Sequence, residues 1–434
     1  MTEVVLNSGD TAWVLASAAL VLLMTPGLAL FYGGMVRTKS VLNMMMMSMV
    51  TIGIVSVLWV LYGFKLAFGS EANSPWYGAI AYSNLEKTVS DFTNNGGVYP
   101  IPLLAFAAFQ LMFAIITPAL ISGSIADRTK FSAWAIFVTV WVTLVYFPVA
   151  HWVFAFGNKV GDVVSGAGFL AAKGVEDFAG GTAVHINAGA AGLALAIVLG
   201  KRVGWRRDSM RPHSLPLVLL GAALLWFGWF GFNAGSALGA NGIASLALMN
   251  TQVATAAAAL GWIFVERMRV GKPTSLGIAS GAVSGLVAIT PACAFVSPIG
   301  AIAIGFVAGA LCAFAVGLKF VFNLDDSLDV VGVHLVAGLW GCLSIGLFGS
   351  KAVNSIGLDG IFYGGGTKLL GLQAFGAFFV LAYSFLMTLI IGFAINKTIG
   401  FRVKADAEVA GIDYDQHAET AYELTSSSRG GFSS

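Results

Sequence analysis

The chain contains two related segments, VHINAGAAG at residues 184–192 and VHLVAGLWG at residues 333–341. Each places an Ala-Gly pair three and four residues after its histidine, and another glycine seven residues after it. A second pair of matching segments is Ile116-Thr117-Pro118-Ala119 and Ile289-Thr290-Pro291-Ala292. Two independent matches in the same chain order indicate an internal repeat, which is a property of the whole fold.

The composition places this repeat in a membrane. Hydrophobic residues make up 58% of the 434 residues and charged residues only 10%, whereas soluble domains carry about 25% charged residues. A bilayer core is crossed by roughly 20 apolar residues in a helix. Eleven such stretches are predicted, near 11–34, 42–64, 101–122, 131–153, 180–200, 214–235, 251–268, 275–292, 298–319, 330–349 and 373–397.

The spacing of the repeat predicts the topology. Matching segments lie five spans apart, and because five is odd, the two copies cross the membrane in opposite senses. Lys and Arg number 17 on one predicted side and 6 on the other, which puts the N-terminus outside and the C-terminus inside. The predicted fold class is an all-α polytopic membrane protein of the plasma membrane. Its eleven transmembrane helices form a 5+5 inverted repeat, about 11–200 and 214–349, with an extra helix at about 373–397.

Residues 1–403 are therefore predicted to form the membrane domain, and residues 404–434 a cytoplasmic regulatory tail. The net charge of +2 and the absence of a basic run argue against a nucleic-acid partner. The sequence has no nucleophile motif, phosphate-binding loop or cluster of metal ligands. We therefore expect no enzyme activity, no cofactor and no metal site.

His185 and His334 are the strongest candidates for function. An ionisable group in the apolar middle of a span is costly, so it usually faces a cavity. Because the fifth and tenth spans run oppositely, both rings can reach a similar depth, where one imidazole nitrogen can donate and another accept. Burial disfavours the charged imidazolium, which suits a neutral polar solute or a proton relay. The alternative is a structural hydrogen bond between helices.

Other candidates lie near the predicted outer ends of spans. Asp177 precedes the fifth span, where a carboxylate caps a helix N-terminus; direct contact with a cation is the alternative. Phe109 and Phe113 lie four residues apart on one helix face, and Trp229 and Phe232 lie on the sixth span, followed by Asn233 and Ser236. Aromatic faces attract cations, although such stripes also occur as ordinary packing.

Several long motifs resemble the signature segments of the ammonium transporter (Amt/Mep/Rh) family. The segment from Asp177 to Arg202 resembles the family's signature, and residues 329–334 its second histidine motif. Residues 31–34, FYGG, and residues 229–236, WFGFNAGS, are also similar. The resemblance extends over nearly the whole chain and in the same order.

This resemblance implies a role for each matching residue. The histidine pair, His185 and His334, lines the conduction pathway, and Phe113 and Phe232 close its outer mouth. A vestibule for ammonium uses Phe109, Phe113 and Ser236, with Thr290 at its border. Trp229 and Asn233 are further pore-lining residues.

The resemblance also implies partners. The substrate is ammonium or ammonia, with methylammonium as an analogue. The family assembles as a homotrimer with one pore per subunit, and a PII-type signalling protein can block its cytoplasmic face. The tail segment 411–422 resembles the family's tail motif. The alternative function is an ammonium sensor, or transceptor, that signals through this tail.

One position departs from the family's pattern. The vestibule usually includes a tryptophan, and Phe154 occupies the corresponding position here. Phenylalanine binds cations more weakly than tryptophan. Trp152 and Phe169 are the candidates to take the place of the usual tryptophan.

Overall fold

Each predicted span corresponds to a helix in the computed structural model. The structure describes residues 5–88, 90–91, 93, 99–160 and 163–422, with side chains described except at 158–160 and 163–166. The ends of the predicted membrane domain and tail, residues 1–4 and 423–434, lie outside the described residues. The helices are α1 (Ser8–Met35), α2 (Thr38–Phe68), α3 (Leu103–Ile125), α4 (Phe131–Phe154), α5 (Gly181–Leu199), α6 (Leu215–Gly235), α7 (Gly242–Val270), α8 (Ser275–Ile289), α9 (Pro298–Val321), α10 (Val331–Phe348) and α11 (Lys368–Thr398).

Within the described residues, ten of these helices are long and apolar enough to cross a membrane. The exception is α8, whose 15 residues rise only about 22 Å. Almost all of its residues are buried, so it contacts protein, as expected of a helix rich in Gly, Ala and Ser. The helical fold class is confirmed, whereas the predicted count of eleven transmembrane spans and their orientation stay predictions.

Local sequence explains where several helices begin. The side chains of Asn7, Ser214, Asn241, Thr274 and Ser297 each accept a hydrogen bond from a backbone N–H in the first turn that follows. These are the residue types preferred at helix N-caps. Pro216 and Pro298 then occupy first-turn positions, where the missing N–H costs nothing.

The structure adds a small β-ribbon that periodicity did not predict. Strands β1 (Phe156–Val160) and β2 (Val163–Ala167) pair antiparallel between α4 and α5. A short helix, Phe169–Lys173, follows. The predicted spans end at these loops, so the ribbon does not alter the helical fold.

The helices that carry the two histidines cross in close contact. A Cβ atom on Gly189 of α5 would lie 2.6 Å from the backbone nitrogen of Leu335 in α10. A Cβ atom on Gly338 of α10 would lie 3.3 Å from the backbone nitrogen of Ile186 in α5. Leu335 and Ile186 each follow a histidine. Gly189 therefore packs against the residue that follows His334, and Gly338 against the residue that follows His185. Such a reciprocal contact is expected of inverted copies.

A buried network of charges joins the loops at the predicted cytoplasmic end. Arg202 binds both carboxylate oxygens of Asp325, at 2.8 and 2.9 Å, and Asp127 at 3.0 Å. Arg128 donates to the Asp325 carbonyl at 2.7 Å. Burial lowers the pKa of Arg128 to about 10. This network fixes the loop that leads into α10.

The tail folds back onto the same end of the bundle. Its two short helices are Ala405–Ala410 and Ile412–His417. Asp413 accepts hydrogen bonds from the backbone N–H groups of Leu42 and Asn43 at 3.0 and 2.8 Å. Gln416 accepts one from Phe131 at 3.0 Å. The tail thus supplies capping groups to the starts of α2 and α4.

Candidate functional site

The two histidines meet in the core. Both rings are buried, their centroids lie 5.5 Å apart and their planes differ by 19°. Each histidine lies in a π-helical turn at the start of its helix, Gly181–Ile186 in α5 and Val331–Leu335 in α10. Such wider turns are frequent at functional sites, although two more occur in α2 and α4, Trp59–Gly63 and Val142–Tyr146. The predicted meeting of the two rings is therefore observed, although their role is a separate question.

The ring nitrogens have no protein partner among the described residues. Both nitrogens of His185 and Nδ1 of His334 are buried without a hydrogen bond. An unpaired buried polar group costs roughly 1–3 kcal/mol, so it calls for an explanation. A structural hydrogen bond between α5 and α10, the alternative reading, is not formed by these three atoms.

Two small cavities adjoin the pair. One, of about 10 Å³, is lined by both histidines, by Trp229 and Phe232, and otherwise by apolar side chains. The other, also about 10 Å³, is lined by His334 together with Asp329 and apolar residues of α1 and α8. Such a volume is close to the minimum for one water-sized molecule. The histidines thus supply most of the polar lining of the first cavity, whereas Tyr32, Ser280 and Asp329 add polar groups to the second.

Aromatic rings close the predicted outer side of this space. The Phe113 and Phe232 rings are in contact, with centroids 4.2 Å apart and planes tilted by 36°, and Phe109 meets Phe113 edge-on at 4.9 Å. Phe232 in turn lies 6.1 Å from the ring of His185, with planes 26° apart. All these rings are buried. They form a continuous column from Phe109 through the histidine pair.

Trp229 and its neighbours hold this column from the side. The Trp229 ring stacks on His185 at 5.3 Å, and its Nε1 donates to the Thr290 hydroxyl at 2.8 Å. Thr290 is fully buried and itself donates to the Leu286 carbonyl at 2.7 Å. Asn233 donates to Thr251 at 2.8 Å, and its side-chain oxygen is buried without a partner. Thr290 therefore supports Trp229, and its predicted place at the mouth stays a prediction.

Ser236 lies at the end of α6, one turn beyond Phe232. Its hydroxyl donates to the Phe232 carbonyl at 2.8 Å and the residue is partly exposed. Because the hydroxyl proton is committed, its oxygen is left as an acceptor. This geometry suits a cationic donor.

Asp177 caps α5. Its carboxylate accepts hydrogen bonds from the backbone N–H groups of residues 180–183, at 2.7 to 3.3 Å, and from the Thr182 hydroxyl. Both oxygens carry at least two hydrogen bonds. Little acceptor capacity is left for an ion, so the geometry favours the capping interpretation over direct contact.

Asp326 caps the start of α10, and the sequence patterns above did not predict this. Its carboxylate accepts from the backbone N–H groups of Val330 and Val331 at 3.1 and 2.8 Å. Asp326 precedes His334 by eight residues, as Asp177 precedes His185. The same eight-residue spacing before each histidine would have identified Asp326 from the sequence.

Phe154 does not stand beside the phenylalanine stack. It lines a separate cavity of about 370 Å³, at the predicted outer end of the bundle, together with Phe68 and Phe106. Leu238, two residues after Ser236, lines the same cavity, so the two regions adjoin.

Trp152 and Phe169 belong to another cluster. Phe169 stacks on Trp76 at 4.6 Å, and Trp152 meets Phe379 of α11 at 5.5 Å. The Trp152 Nε1 donates to the Trp76 carbonyl at 2.8 Å. These rings pack against α11, and the structure gives no support to either as a replacement for the vestibule tryptophan.

Glu176 provides a pH-sensitive contact next to Asp177. Its carboxylate accepts from the Leu358 backbone at 2.8 Å, and burial raises its pKa to about 7. Because the pKa is raised in the folded state, the stabilisation present below pH 4.5 is lost as pH rises through 7. We expect a loss of roughly 2 kcal/mol, allowing for partial exposure. Glu176→Gln should reduce the dependence of the melting temperature on pH between pH 5 and 8. Glu86→Gln, a change at an exposed residue, should leave that dependence as it is.

These features define a class of protein. The structure is a multi-pass helical membrane protein whose core holds two buried imidazoles in a narrow, closed column. No group of three or more potential metal ligands occurs in the part of the chain that the structure describes.

Comparison with known proteins identifies the family. Residues 12–422 match the Ammonium Transporter Family, and the chain belongs to it. The ammonium transporter of Mycobacterium tuberculosis (strain H37Rv) is 55% identical over 436 residues, covering 96% of this chain and 91% of that protein. The crystal structure of Saccharomyces cerevisiae Mep2 matches with a TM-score of 0.81 and 31% identity, covering 97% of this chain and 92% of that one. A structure described as a sensor Amt protein matches with a TM-score of 0.83 and 27% identity, covering 94% and 98%.

Family membership confirms two predictions made from the sequence. The family comprises transporters, so the chain is not an enzyme. With its ten apolar membrane-length helices among the described residues, it is a multi-pass membrane protein.

Proposed function

We propose that this protein conducts ammonium across the cell membrane by taking up the ion at an outer vestibule and passing ammonia along the histidine pair. The observation that carries the proposal is the column Phe109–Phe113–Phe232–His185–His334, in which unpaired imidazole nitrogens lie beneath a closed aromatic stack. Membership of the Ammonium Transporter Family supports the substrate.

The first step is recruitment at the vestibule. Phe109 and Phe113 offer aromatic faces, and the Ser236 oxygen offers an acceptor for an ion N–H. A cation over an aromatic ring gains about 0.5–2 kcal/mol, more as water is removed. Asp177 contributes by holding the start of α5, and its charge favours cations in the region outside it.

The second step is loss of charge at the gate. A full charge is very costly in a narrow apolar space, so a proton must leave before the molecule passes Phe113 and Phe232. Potassium ions cannot shed a proton and are excluded. Ammonia then exchanges hydrogen bonds with water for hydrogen bonds with His185 and His334, whose free nitrogens include both donors and acceptors. The proton returns outside or follows along the histidines.

Selectivity in a reconstituted membrane tests this proposal. Protein in planar bilayers is exposed to ammonium or potassium gradients at several pH values, and current and internal pH are recorded together. We expect ammonium-driven flux with no potassium current. Flux that alkalinises the interior without current indicates ammonia alone, and current indicates that the proton follows. Equal permeation of potassium would rule out deprotonation at the gate.

Changing Phe154 to tryptophan tests whether the outer cavity belongs to the recruitment path. Tryptophan binds cations more tightly than phenylalanine, so Phe154→Trp should lower the half-saturating ammonium concentration about twofold to fivefold. The maximal flux should not change, because the gate is untouched. Phe378→Trp is the control for added bulk, because Phe378 is exposed on α11 and does not line this cavity.

A sensor that signals through its tail is the second candidate. The docked tail and the structural similarity to a sensor Amt protein favour it. Removing residues 405–434 distinguishes the two functions. A transporter should keep its flux and lose only regulation, whereas a sensor should keep ammonium binding and lose its downstream signal.

Two further proposals concern assembly. We propose a homotrimer with one pore per subunit, as the family resemblance implies, and a PII-type protein as a partner of the cytoplasmic face. Mass measurement of the purified protein tests the first. Co-purification with a PII-type protein, with and without residues 405–434, tests the second.

A further inference from the structure

A third buried histidine, His151, lies outside the histidine column, near the predicted outer end of α4. Its Nδ1 lies 2.8 Å from the carbonyl oxygen of Ala67, and its Nε2 lies 2.9 Å from the carbonyl oxygen of Ser74. Both distances are those of ordinary N–H···O hydrogen bonds. The ring therefore joins α4 to two points of residues 67–79, the outer segment, on which the chain leaves α2.

Two carbonyl acceptors require two N–H donors on the ring. A carbonyl oxygen cannot donate, and a neutral imidazole has one N–H and a lone pair on its other nitrogen. A neutral His151 would thus direct that lone pair at a carbonyl oxygen 2.8 or 2.9 Å away. Turning the ring over would place carbon atoms there, although C–H···O contacts are normally about 3.3–3.6 Å long. The geometry is therefore that of an imidazolium, which carries two protons.

The end of α2 favours a positive charge at this position. Ala67 lies in the last turn of α2, which ends at Phe68, and carbonyl groups at a helix C-terminus carry partial negative charge. The carbonyls of Lys65 and Leu66, in the same turn, already accept from backbone N–H groups of the outer segment. His151 therefore supplies the donor for the Ala67 carbonyl, which the helix itself leaves without one.

Among the described residues, neither ring nitrogen of His151 is paired with an acid. The acid on the outer segment, Glu71, pairs with Lys65 at 2.8 Å, and Asp177 is committed to the start of α5. The titratable groups on α4 and on the elements packed around this end of it are Tyr62, Lys65, Glu71, Tyr77, Tyr146, Lys173, Glu176, Asp177, His185 and Tyr383. Two carbonyls alone thus hold the second proton of His151.

We propose that His151 is a proton-binding site that fastens the outer segment to α4 at low pH and releases it as pH rises. With two protons, the ring holds both carbonyls. With one proton, it keeps the buried Ala67 carbonyl, and the lone pair on Nε2 repels the Ser74 carbonyl, which is partly exposed and can bind water instead. The fastening is present in the doubly protonated form and lost as the ring becomes neutral.

The outer segment forms part of the wall of the 370 Å³ cavity. Gly69, Ser70 and Glu71 line this cavity, and so does Phe154, one turn beyond His151 on α4. Release of the Ser74 carbonyl is therefore expected to loosen the cavity wall and to leave the histidine column in place. The proton site does not depend on the ammonium pathway proposed above.

The number of protons on His151 is measured directly by NMR on the full chain in detergent, with ¹⁵N in its histidine rings. The chain has five histidines, and replacing the other four one at a time assigns the His151 signals without altering that residue. We expect protons on both ring nitrogens at about pH 5.5 and on Nδ1 alone at about pH 9. A single proton throughout this range overturns the proposal, and so does a ring that keeps both protons at the upper end.

Hydrogen exchange at residues 69–79 tests whether this proton fastens the segment. Loss of a hydrogen bond from a charged group should increase local opening about tenfold or more. In the unaltered protein, we expect protection, corrected for the intrinsic effect of pH on exchange, to fall about tenfold between about pH 6 and pH 9. Glutamine offers a donor nitrogen and an acceptor oxygen, like the neutral ring. Protection in His151→Gln should therefore be low at both pH values.

His213→Gln is the matched control. His213 bonds one carbonyl, of Val36, and one hydroxyl, of Tyr422, so a neutral ring satisfies both partners. This variant should keep the pH dependence at residues 69–79. Protection that does not change with pH in the unaltered protein overturns the proposal, as does an equal change in His151→Gln. The two measurements on the unaltered protein test the proposal even where His151→Gln fails to fold.

Discussion

Replacing either His185 or His334 with alanine is expected to lower selective ammonium flux by about 30-fold or more. Ammonia that enters the narrow space loses its hydrogen bonds with water, and the histidine nitrogens are the groups placed to replace them. An uncompensated polar group costs at least roughly 2 kcal/mol, which corresponds to about 30-fold in rate. Each single alanine variant would also remove one of the two imidazoles that line this cavity.

The measurement is the ammonium-driven flux of each variant in liposomes, together with potassium current in planar bilayers. His213→Ala is the matched control, because that histidine bonds the Val36 carbonyl and the Tyr422 hydroxyl away from the column. It should keep its flux. Undiminished, selective flux in His185→Ala and His334→Ala would remove the role proposed for the pair.

The double variant separates two versions of this idea. If the rings act as one relay, losing the first already breaks the path, and the double variant should be about as slow as each single one. If each ring supplies an independent hydrogen bond, the two losses should multiply. Centroids 5.5 Å apart make coupling the expected result.

The sequence predicted the main geometry because repeats and periodicity report directly on topology. Residues 184–192 and 333–341 indicated two helices of opposite sense, and these helices do place His185 beside His334. Phe113 and Phe232 lie in different helices, and their stacking followed from resemblance alone. The packing that brings them to 4.2 Å depends on the whole bundle.

Other features depend on interactions that no local pattern encodes. The π-helical turns at the two histidines lie near the glycine crossing of α5 and α10, and glycine is frequent everywhere in this chain. Trp152 and Phe154 are two residues apart and point to different surroundings, an aromatic cluster on α11 and an outer cavity. Their order along the chain does not determine which one faces the vestibule.

Asp326 is the clearest case of a detectable residue that was missed. The second histidine motif, residues 329–334, begins with Asp329, five residues before His334, and the Asp329 carboxylate pairs with Lys319 at 2.7 Å. Matching the eight-residue spacing of the first copy identifies Asp326 at once. The repeat therefore predicts function best when its exact offset is applied to polar residues outside the matching core.

Removing either helix cap, Asp177 or Asp326, is expected to destabilise the protein, and the two losses of stability should differ in size. Asp177→Ala would leave four backbone N–H groups and the Thr182 hydroxyl without their acceptor. Asp326→Ala would leave two such N–H groups. Each buried donor left unpaired costs roughly 1–3 kcal/mol. We expect Asp177→Ala to lose about 4 kcal/mol or more, and Asp326→Ala about half as much.

The measurement combines melting temperature in detergent with hydrogen exchange at the starts of α5 and α10. Asp177→Asn is the informative partner variant, because its amide keeps one acceptor oxygen but turns an N–H group toward backbone donors. It should therefore fall between the unaltered protein and Asp177→Ala. Protection should drop first at residues 180–183, next to the turn that carries His185.

Loss of a cap should also lower ammonium flux, because each cap holds the helix turn that positions a histidine. If Asp177 only stabilises the start of α5, flux in Asp177→Asn should fall together with protection at residues 180–183, and the half-saturating ammonium concentration should stay the same. If Asp177 also draws the cation to the vestibule, that concentration should rise even where protection is retained. Asp326 caps α10, at the other end of the proposed pathway. Asp326 variants should therefore leave the half-saturating ammonium concentration unchanged. If the half-saturating ammonium concentration rises only in Asp177 variants, direct contact between Asp177 and the cation becomes the better interpretation. The fully hydrogen-bonded carboxylate now argues against that contact.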